Sequence, residues 1–197
     1  MNIKFSLPHI DKLVINEVNS TLTKTGWLTS GPKVLEFESE LSKYTGCKNI
    51  IAVSSWTLGA MLILKRFGIG PGDEVIIPSY TYSATALCVY NVGAKPVMVD
   101  VDNDFNISID KISENITTKT KAIIAVDIGG WPANYKKIYE IILSQNIKKK
   151  FNPQNSIQSK LGRILLISDA AHSIGSSVNG INAGMLSDIT IFSFLTG

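Results

Sequence analysis

Six short runs of branched and aliphatic residues set the strongest limit on how this chain folds: "IIAV" from 50, "EVIIP" from 74, "PVMVDV" from 96, "KAIIAVD" from 121, "RILLIS" from 163 and "ITIFSF" from 189. Between most of them lie helix-length segments, "TLGAMLILKRFG", "YSATALCVYNVG", "IDKISENI" and "ANYKKIYEIILSQN". That alternation predicts an α/β fold built on a mostly parallel sheet. Because the runs are apolar without interruption, helices are expected on both faces of the sheet.

Ahead of the first run, Ile10, Val14, Val18 and Leu22 recur every fourth residue behind Asp11, which predicts an amphipathic helix over 10–24. "GWLTSGP" breaks it. A second helix is expected to begin at Pro32 and stop near Gly46, burying Leu35, Leu41 and Tyr44. The polar, Asn/Gln-rich segment 148–162 interrupts the rhythm and reads as a surface insertion. No internal repeat or linker divides the chain, so residues 1–197 are expected to form one domain.

At 45% hydrophobic and 18% charged residues the chain is able to bury a sizeable core. Its net charge of +3 is mild, and the one dense basic run, "IKKKF" at 147–151, reads as a solvated face or loop, which gives no support to nucleic-acid binding. Cys47 and Cys88 have no metal-type spacing and read as buried thiols of a reducing compartment. The opening "MNIKFSLPHIDK" lacks a signal peptide's apolar stretch and no run reaches membrane-spanning length, so the expected location is the cytoplasm.

Three places carry residues able to do chemistry. "LLISDAAHSIGS", 165–176, ends an apolar strand in Asp169 and runs on to His172; in open α/β sheets, ligands sit at this carboxyl edge. "AVSSWTLGAM", 52–61, leads hydroxyl residues into a helix start, where free N–H groups and the helix dipole favour an anion, with Ser55 and Thr57 as further donors. "PSYTYSAT", 78–85, places Tyr80 and Tyr82 beyond a strand, able to stack on a flat ring. Each has a plain structural reading too: an N-capping serine, a core tyrosine, a helix-capping acid beside a core histidine. No Walker-type or G-x-G-x-x-G pattern is present, so a nucleotide-binding α/β domain is the weaker alternative. An anion cradle, an aromatic plate and a buried acid together describe a pocket for a flat phosphorylated ring with a basic nitrogen, and pyridoxal phosphate fits that description.

With these residues the chain resembles the DegT/DnrJ/EryC1/StrS family of sugar aminotransferases, fold type I enzymes that use pyridoxal phosphate. The likeness runs through "GWLTSGPKVLEFE", "GIGPGDEVIIPSYTYSATA", "GAKPVMVDVD", "TTKTKAIIAVDIGGWPA" and "SDAAHSIGS" to "DITIFSF". It implies that Ser55, Trp56 and Thr57 form the phosphate-side turn, mainly through backbone N–H groups. Tyr82 is similar to the residue stacked on the pyridine ring, Asp169 to the acid paired with its nitrogen, His172 to the neighbour of its phenolic oxygen, and Ser193 to a phosphate-contacting serine. Thr29 and Ser30 are similar to residues bordering the substrate pocket.

Two positions depart from the pattern. Trp56 stands where members usually carry a small residue, and its indole is able to crowd the phosphate. The lysine that forms the Schiff base follows the serine of "FSF" by five residues in the family, which corresponds to position 198; the sequence stops at Gly197. The resemblance therefore implies an N-terminal part of an aminotransferase, an incomplete large domain without the lysine or the smaller C-terminal domain. The implied reaction moves an amino group from a donor such as glutamate to a nucleotide-linked keto sugar, in a homodimer. A sugar dehydratase of the same family, with histidine at the lysine position, and a non-catalytic binding or assembly module are the alternatives.

Overall fold

The computed structural model describes residues 8–194. The opening "MNIKFSL" and the closing "LTG" lie outside the described residues. The chain divides into two compact units, one reaching to Ala52 and including Phe194, the other Val53–Ser193.

The N-terminal unit holds α1 (Lys12–Ser20), a π-helical turn at Thr21–Thr25, and α2 (Pro32–Thr45). Asp11 caps α1 by accepting from the N–H groups of Leu13 and Val14, at 2.9 and 3.0 Å. Pro32 opens α2 and Gly46, at φ 79°, closes it, which are the boundaries expected from the sequence. The expected burial differs. Ile10, Val14, Val18 and Leu22 are exposed, as are Leu35 and Tyr44, and Leu41 is only half-buried. Four-residue spacing specifies one apolar face but not whether anything covers it.

The larger unit is built on a five-stranded sheet in the order β2-β1-β3-β4-β7, every neighbouring pair parallel. The strands are β1 (Glu74–Pro78), β2 (Lys95–Val99), β3 (Thr120–Val126), β4 (Leu165–Ala170) and β7 (Ile189–Phe192). A two-residue hairpin, β5 (Ser177–Val178) with β6 (Ile181–Asn182), separates β4 from β7. The connecting helices are α3 (Trp56–Arg66), α4 (Ser83–Asn91), α5 (Ile109–Asn115), α6 (Tyr135–Leu143), α7 (Gln145–Lys150) and α8 (Ser156–Leu161). Every residue of β1, β3 and β4 is buried, and this is why their sequences show no polar alternation.

Strand periodicity sorts the core into two layers. Val75, Ile77, Ala122, Ile124, Leu165, Ile167 and Ile191 pack with Ala60 and Leu64 of α3 and Val89 of α4. Ile76, Ile123, Ala125, Ile164 and Leu166 pack on the other side with Ile112 of α5 and Ile138 and Ile142 of α6. Helices thus cover both faces. The glycine at 59 lets α3 lie close to β7: a Cβ there would stand 3.3 Å from Ile191 Cγ2 and 3.2 Å from Val53 Cγ2.

Three expectations are corrected. The run "IIAV" at 50–53 is not a strand; it forms no ladder, and Ile51 is 80% exposed. Branched residues favour a pleated backbone only where a neighbouring strand supplies hydrogen bonds. The 148–162 segment is mostly exposed, as expected, but it is not a plain surface insertion, since it supplies α8 and buries Phe151 and Gln158. Gln158 and Asn155 both donate to the Phe67 carbonyl, at 2.9 and 3.1 Å, closing the end of α3. Lys148, Lys149 and Lys150 are exposed on α7 as expected, and of the two thiols only Cys88 is buried, Cys47 being half-buried.

Candidate active site

All five strands run the same way, so their carboxyl ends share one edge, and Ser79–Tyr82, Asp127, Asp169 and Ser193 all fall on it. Alternation then decides which face each side chain serves. Asp169 is two residues beyond Ile167 and belongs to the face covered by α3 and α4; Asp127 follows Ile123 and Ala125 and belongs to the face covered by α6.

Asp169 is 5% exposed. Thr85, on the first turn of α4 and fully buried, donates to its Oδ2 at 3.0 Å, and the Ala171 N–H approaches Oδ1 at 3.3 Å. Thr81 Oγ1 lies 2.8 Å from Thr85 Oγ1. Burial pushes the Asp169 carboxyl up to about 7, opposed by these donors and reinforced by the charge of Asp127. Among the described residues no cation pairs with it. The same burial, with the Asp169 charge, raises the Cys88 thiol to about 12 and keeps it protonated.

The turn at 55–57 reaches the same place through packing. Asp169 stands opposite Ile191 in the β4–β7 register, and Ile191 is the residue that Gly59 of α3 approaches. The first turn of α3 therefore lies over the β7 side of Asp169. Ser55 caps it, accepting from the Leu58 N–H at 3.1 Å, which leaves the N–H groups of Trp56 and Thr57 without intrahelical acceptors. The Trp56 indole does not fill the turn; it is 8% exposed and belongs to the core layer between α3 and the sheet. Its Nε1 is buried without a hydrogen-bond partner.

Tyr82 is the residue before α4, one turn ahead of Thr85, and is 80% exposed. His172 is exposed in the turn after β4, and the neighbouring loop approaches it closely: a Cβ on Gly130, at φ 83°, would sit 2.9 Å from the His172 carbonyl oxygen. Ser193 continues the alternation of β7 on the Asp169 face. Thr29 and Ser30 are exposed residues of the N-terminal unit.

Two residues of this edge escaped the sequence reading. Thr85 sits inside "YTYSAT", where helical spacing from Tyr82 was the available signal, although its carboxylate partner is 84 residues away. Asp127 directly follows β3 as Asp169 nearly ends β4, a similar strand-then-acid pattern on the neighbouring strand. It is fully buried and takes donors from Ser173 Oγ at 2.6 Å, the Ala133 N–H at 3.0 Å and the Tyr135 hydroxyl at 2.6 Å. Tyr135 also lies 2.6 Å from Ser168 Oγ; its single proton goes to the carboxylate, so the serine donates to the tyrosine. Burial raises the Asp127 carboxyl, and its donors Ser173, Tyr135 and Ala133 oppose it. Asp127 thus holds three close donors, whereas Asp169 holds two, one of them long.

The Asp169 face carries three unmet demands: a buried carboxylate suited to a cation, a helix start suited to an anion, and a buried indole N–H suited to an acceptor. A flat cationic ring bearing a phosphate meets the first two at once. Among the described residues no group of three His, Cys, Asp or Glu side chains is able to hold a metal ion.

The sequence profile of the DegT/DnrJ/EryC1/StrS aminotransferases matches residues 8–148 and 154–197. The chain belongs to this family. SpsC of Bacillus subtilis, a spore coat polysaccharide biosynthesis protein, is 36% identical over 193 residues, 98% of this chain and 45% of its own length. Spr1654 of Streptococcus pneumoniae, assigned as a sugar aminotransferase and solved with pyridoxal phosphate, with pyridoxamine phosphate and without either, superposes with a TM-score of 0.94 at 39% identity. That match covers all of this chain and 49% of Spr1654 in its pyridoxamine form. A GDP-4-keto-6-deoxymannose-3-dehydratase, ColD, with bound GDP-perosamine, superposes with a TM-score of 0.82 at 27% identity, over 99% of this chain and 48% of its own. The chain spans about half the length of the relatives it matches. Pyridoxal phosphate, the family's cofactor, fits the demands of the Asp169 face: a ring nitrogen for the carboxylate and a phosphate for the helix start.

Proposed function

We propose that the polypeptide carrying this sequence is a pyridoxal-phosphate-dependent aminotransferase that moves an amino group from an amino acid such as glutamate to a nucleotide-linked keto sugar. The observation that carries the proposal is Asp169, a buried carboxylate without a cation on the same sheet face as an anion-ready helix start. Bound there, the cofactor supplies an electron sink for the carbon that loses a proton. The chain's own residues bind and orient. Asp169 keeps a proton on the ring nitrogen, which makes the ring a better acceptor of electrons. The N–H groups of Trp56 and Thr57, with the hydroxyl of Ser193, receive the phosphate. Tyr82 covers the ring, His172 stands by its phenolic oxygen, and Thr29 and Ser30 border the sugar.

The same proposal includes a cytoplasmic location and a homodimer. No described helix is long and apolar enough to cross a membrane, and exposed Leu13, Val18, Leu28 and Leu35 provide apolar surface for association. The likeness to ColD favours a second reading, a sugar dehydratase built on the same edge.

Supplying ¹⁵N-labelled glutamate and a nucleotide-linked keto sugar to the gene product separates the readings by mass. Transfer gives an amino sugar carrying the label. A product that has lost a hydroxyl and gained no nitrogen would overturn the aminotransferase reading in favour of dehydration.

A further inference from the structure

We propose that Thr85 is a positioning residue that selects the carboxylate oxygen Asp169 offers to a bound ring nitrogen. The proposal rests on the cofactor reading above. Asp169 lies at the end of a buried strand, and a free carboxylate there is able to rotate about its last bond and present either oxygen. Thr85 removes that freedom. Its hydroxyl, fully buried on α4, donates to Oδ2 at 3.0 Å. It leaves Oδ1, whose contact with the Ala171 N–H is long at 3.3 Å, as the oxygen less committed to a donor.

The proton of Thr85 has one destination. Thr81 Oγ1 and Thr85 Oγ1 are 2.8 Å apart, and a hydroxyl carries a single proton. With that proton given to Asp169, Thr81 must donate to Thr85, so the three side chains form a directed relay in which each bond polarises the next. The relay starts at the half-buried loop beside Tyr82 and ends on the carboxylate. One end of α4 thereby carries both the tyrosine proposed to cover the ring and the hydroxyl that orients the acid beneath it. The two are set by one helix start, so the ring plane and the carboxylate are held in register.

The test compares two probes, pyridoxamine phosphate and its analogue with C–H in place of the ring nitrogen, on the wild-type chain and on Thr85→Val, Thr85→Ser and Thr81→Val. Dissociation constants come from calorimetry, with near-UV circular dichroism as the check on folding. Losing one hydrogen bond to a charged group is expected to weaken pyridoxamine phosphate about 10-fold or more in Thr85→Val. The analogue should bind wild type and Thr85→Val alike, and Thr85→Ser should restore wild-type affinity. Thr81→Val, one step out, should weaken pyridoxamine phosphate by a few-fold and leave the analogue unaffected; it carries the test if Thr85→Val does not fold. Equal weakening of both probes would make Thr85 a structural residue and overturn the proposal, as would no weakening of either. A wild type that binds both probes equally would instead overturn the pairing of Asp169 with the ring nitrogen.

Discussion

The backbone N–H of Asp127 donates to the carbonyl of Asp169 at 3.0 Å, joining the ends of two neighbouring strands, while alternation sends their side chains to opposite faces of the sheet. The two buried carboxylates therefore have different employment. Asp127 accepts from two hydroxyls and an N–H and ties β3 and β4 to the start of α6. Asp169 faces α3 and α4 with two donors, one of them long.

The first consequence is a pH dependence of stability. The Asp169 carboxyl is raised to about 7 by burial, against an ordinary 3.8, so between those values the folded protein keeps a proton that the unfolded chain has lost. Stability is free of this penalty below about 4, falls as pH rises through the window, and levels off above 7. Asp169→Asn removes the ionisation. Denaturant unfolding at pH 4 and pH 8 should show the variant gaining on wild type by up to about 4 kcal/mol, about 1.4 kcal/mol for each unit of raised pKa. Parallel profiles would show that Asp169 is not a buried acid.

Asp127 should behave as a structural residue. Asp127→Asn keeps one of the two acceptor oxygens and sets an NH2 group against either the Ser173 hydroxyl or the Tyr135 hydroxyl and Ala133 N–H, with an expected loss of about 2–3 kcal/mol by urea unfolding. A change below about 0.5 kcal/mol would count against the cage.

Arg163 and Asp188 form a two-pronged pair, at 2.7 and 2.6 Å, and Asp188 also accepts from the Leu166 N–H at 2.9 Å and the Tyr139 hydroxyl at 3.0 Å. Burial alone would raise the Asp188 carboxyl, but Arg163 and the other donors outweigh it and hold it below its ordinary 3.8. Its contribution is present above that value and is lost as pH falls through the depressed one. Arg163→Met should cost about 2–4 kcal/mol at pH 7. It should also move acid unfolding to higher pH; an unchanged acid midpoint would contradict the pairing.

Three lysines are placed away from the site. Lys65 lies in the last turn of α3, whose other end is the turn proposed to hold the phosphate; Lys121 is the second residue of β3; Lys160 lies in the last turn of α8, ahead of β4. All three belong to the amino edge of the sheet. Lys121 is also enclosed, with its Nζ donating to the Asn152 and Thr118 carbonyls and standing 5.4 Å from the Phe151 ring centre. Borohydride reduction in the presence of pyridoxal phosphate, mapped by peptide mass, should give no stoichiometric adduct on any of them. One such adduct would relocate the site.

Much of this architecture is legible in the sequence because strands buried on both faces leave a continuous apolar trace, as in β1, β3 and β4, and because Pro32 and Gly46 mark the ends of α2 by their own backbone limits. Asp169 and the 55–57 turn were legible for a related reason: each ends or starts an element at the sheet edge. What stayed hidden depends on partners distant in the chain. Residues 50–53 have strand composition and no ladder, Leu35 and Tyr44 have core spacing and no cover, and Gln158 looks like a loop residue until Phe67 supplies its acceptor. Thr85 is unremarkable in the sequence until α4 delivers it to Asp169.

If Asp169 holds a protonated pyridine ring at this edge, the ring nitrogen itself reports on it. Pyridoxamine phosphate labelled with ¹⁵N in the ring, bound to the wild-type chain and observed by NMR at a pH where the free ring is unprotonated, should show the shift of a pyridinium. Asp169→Ala should return the signal to that of the neutral ring or abolish binding. A neutral-ring signal in the wild type, or a pyridinium signal that survives the loss of Asp169, would contradict the account.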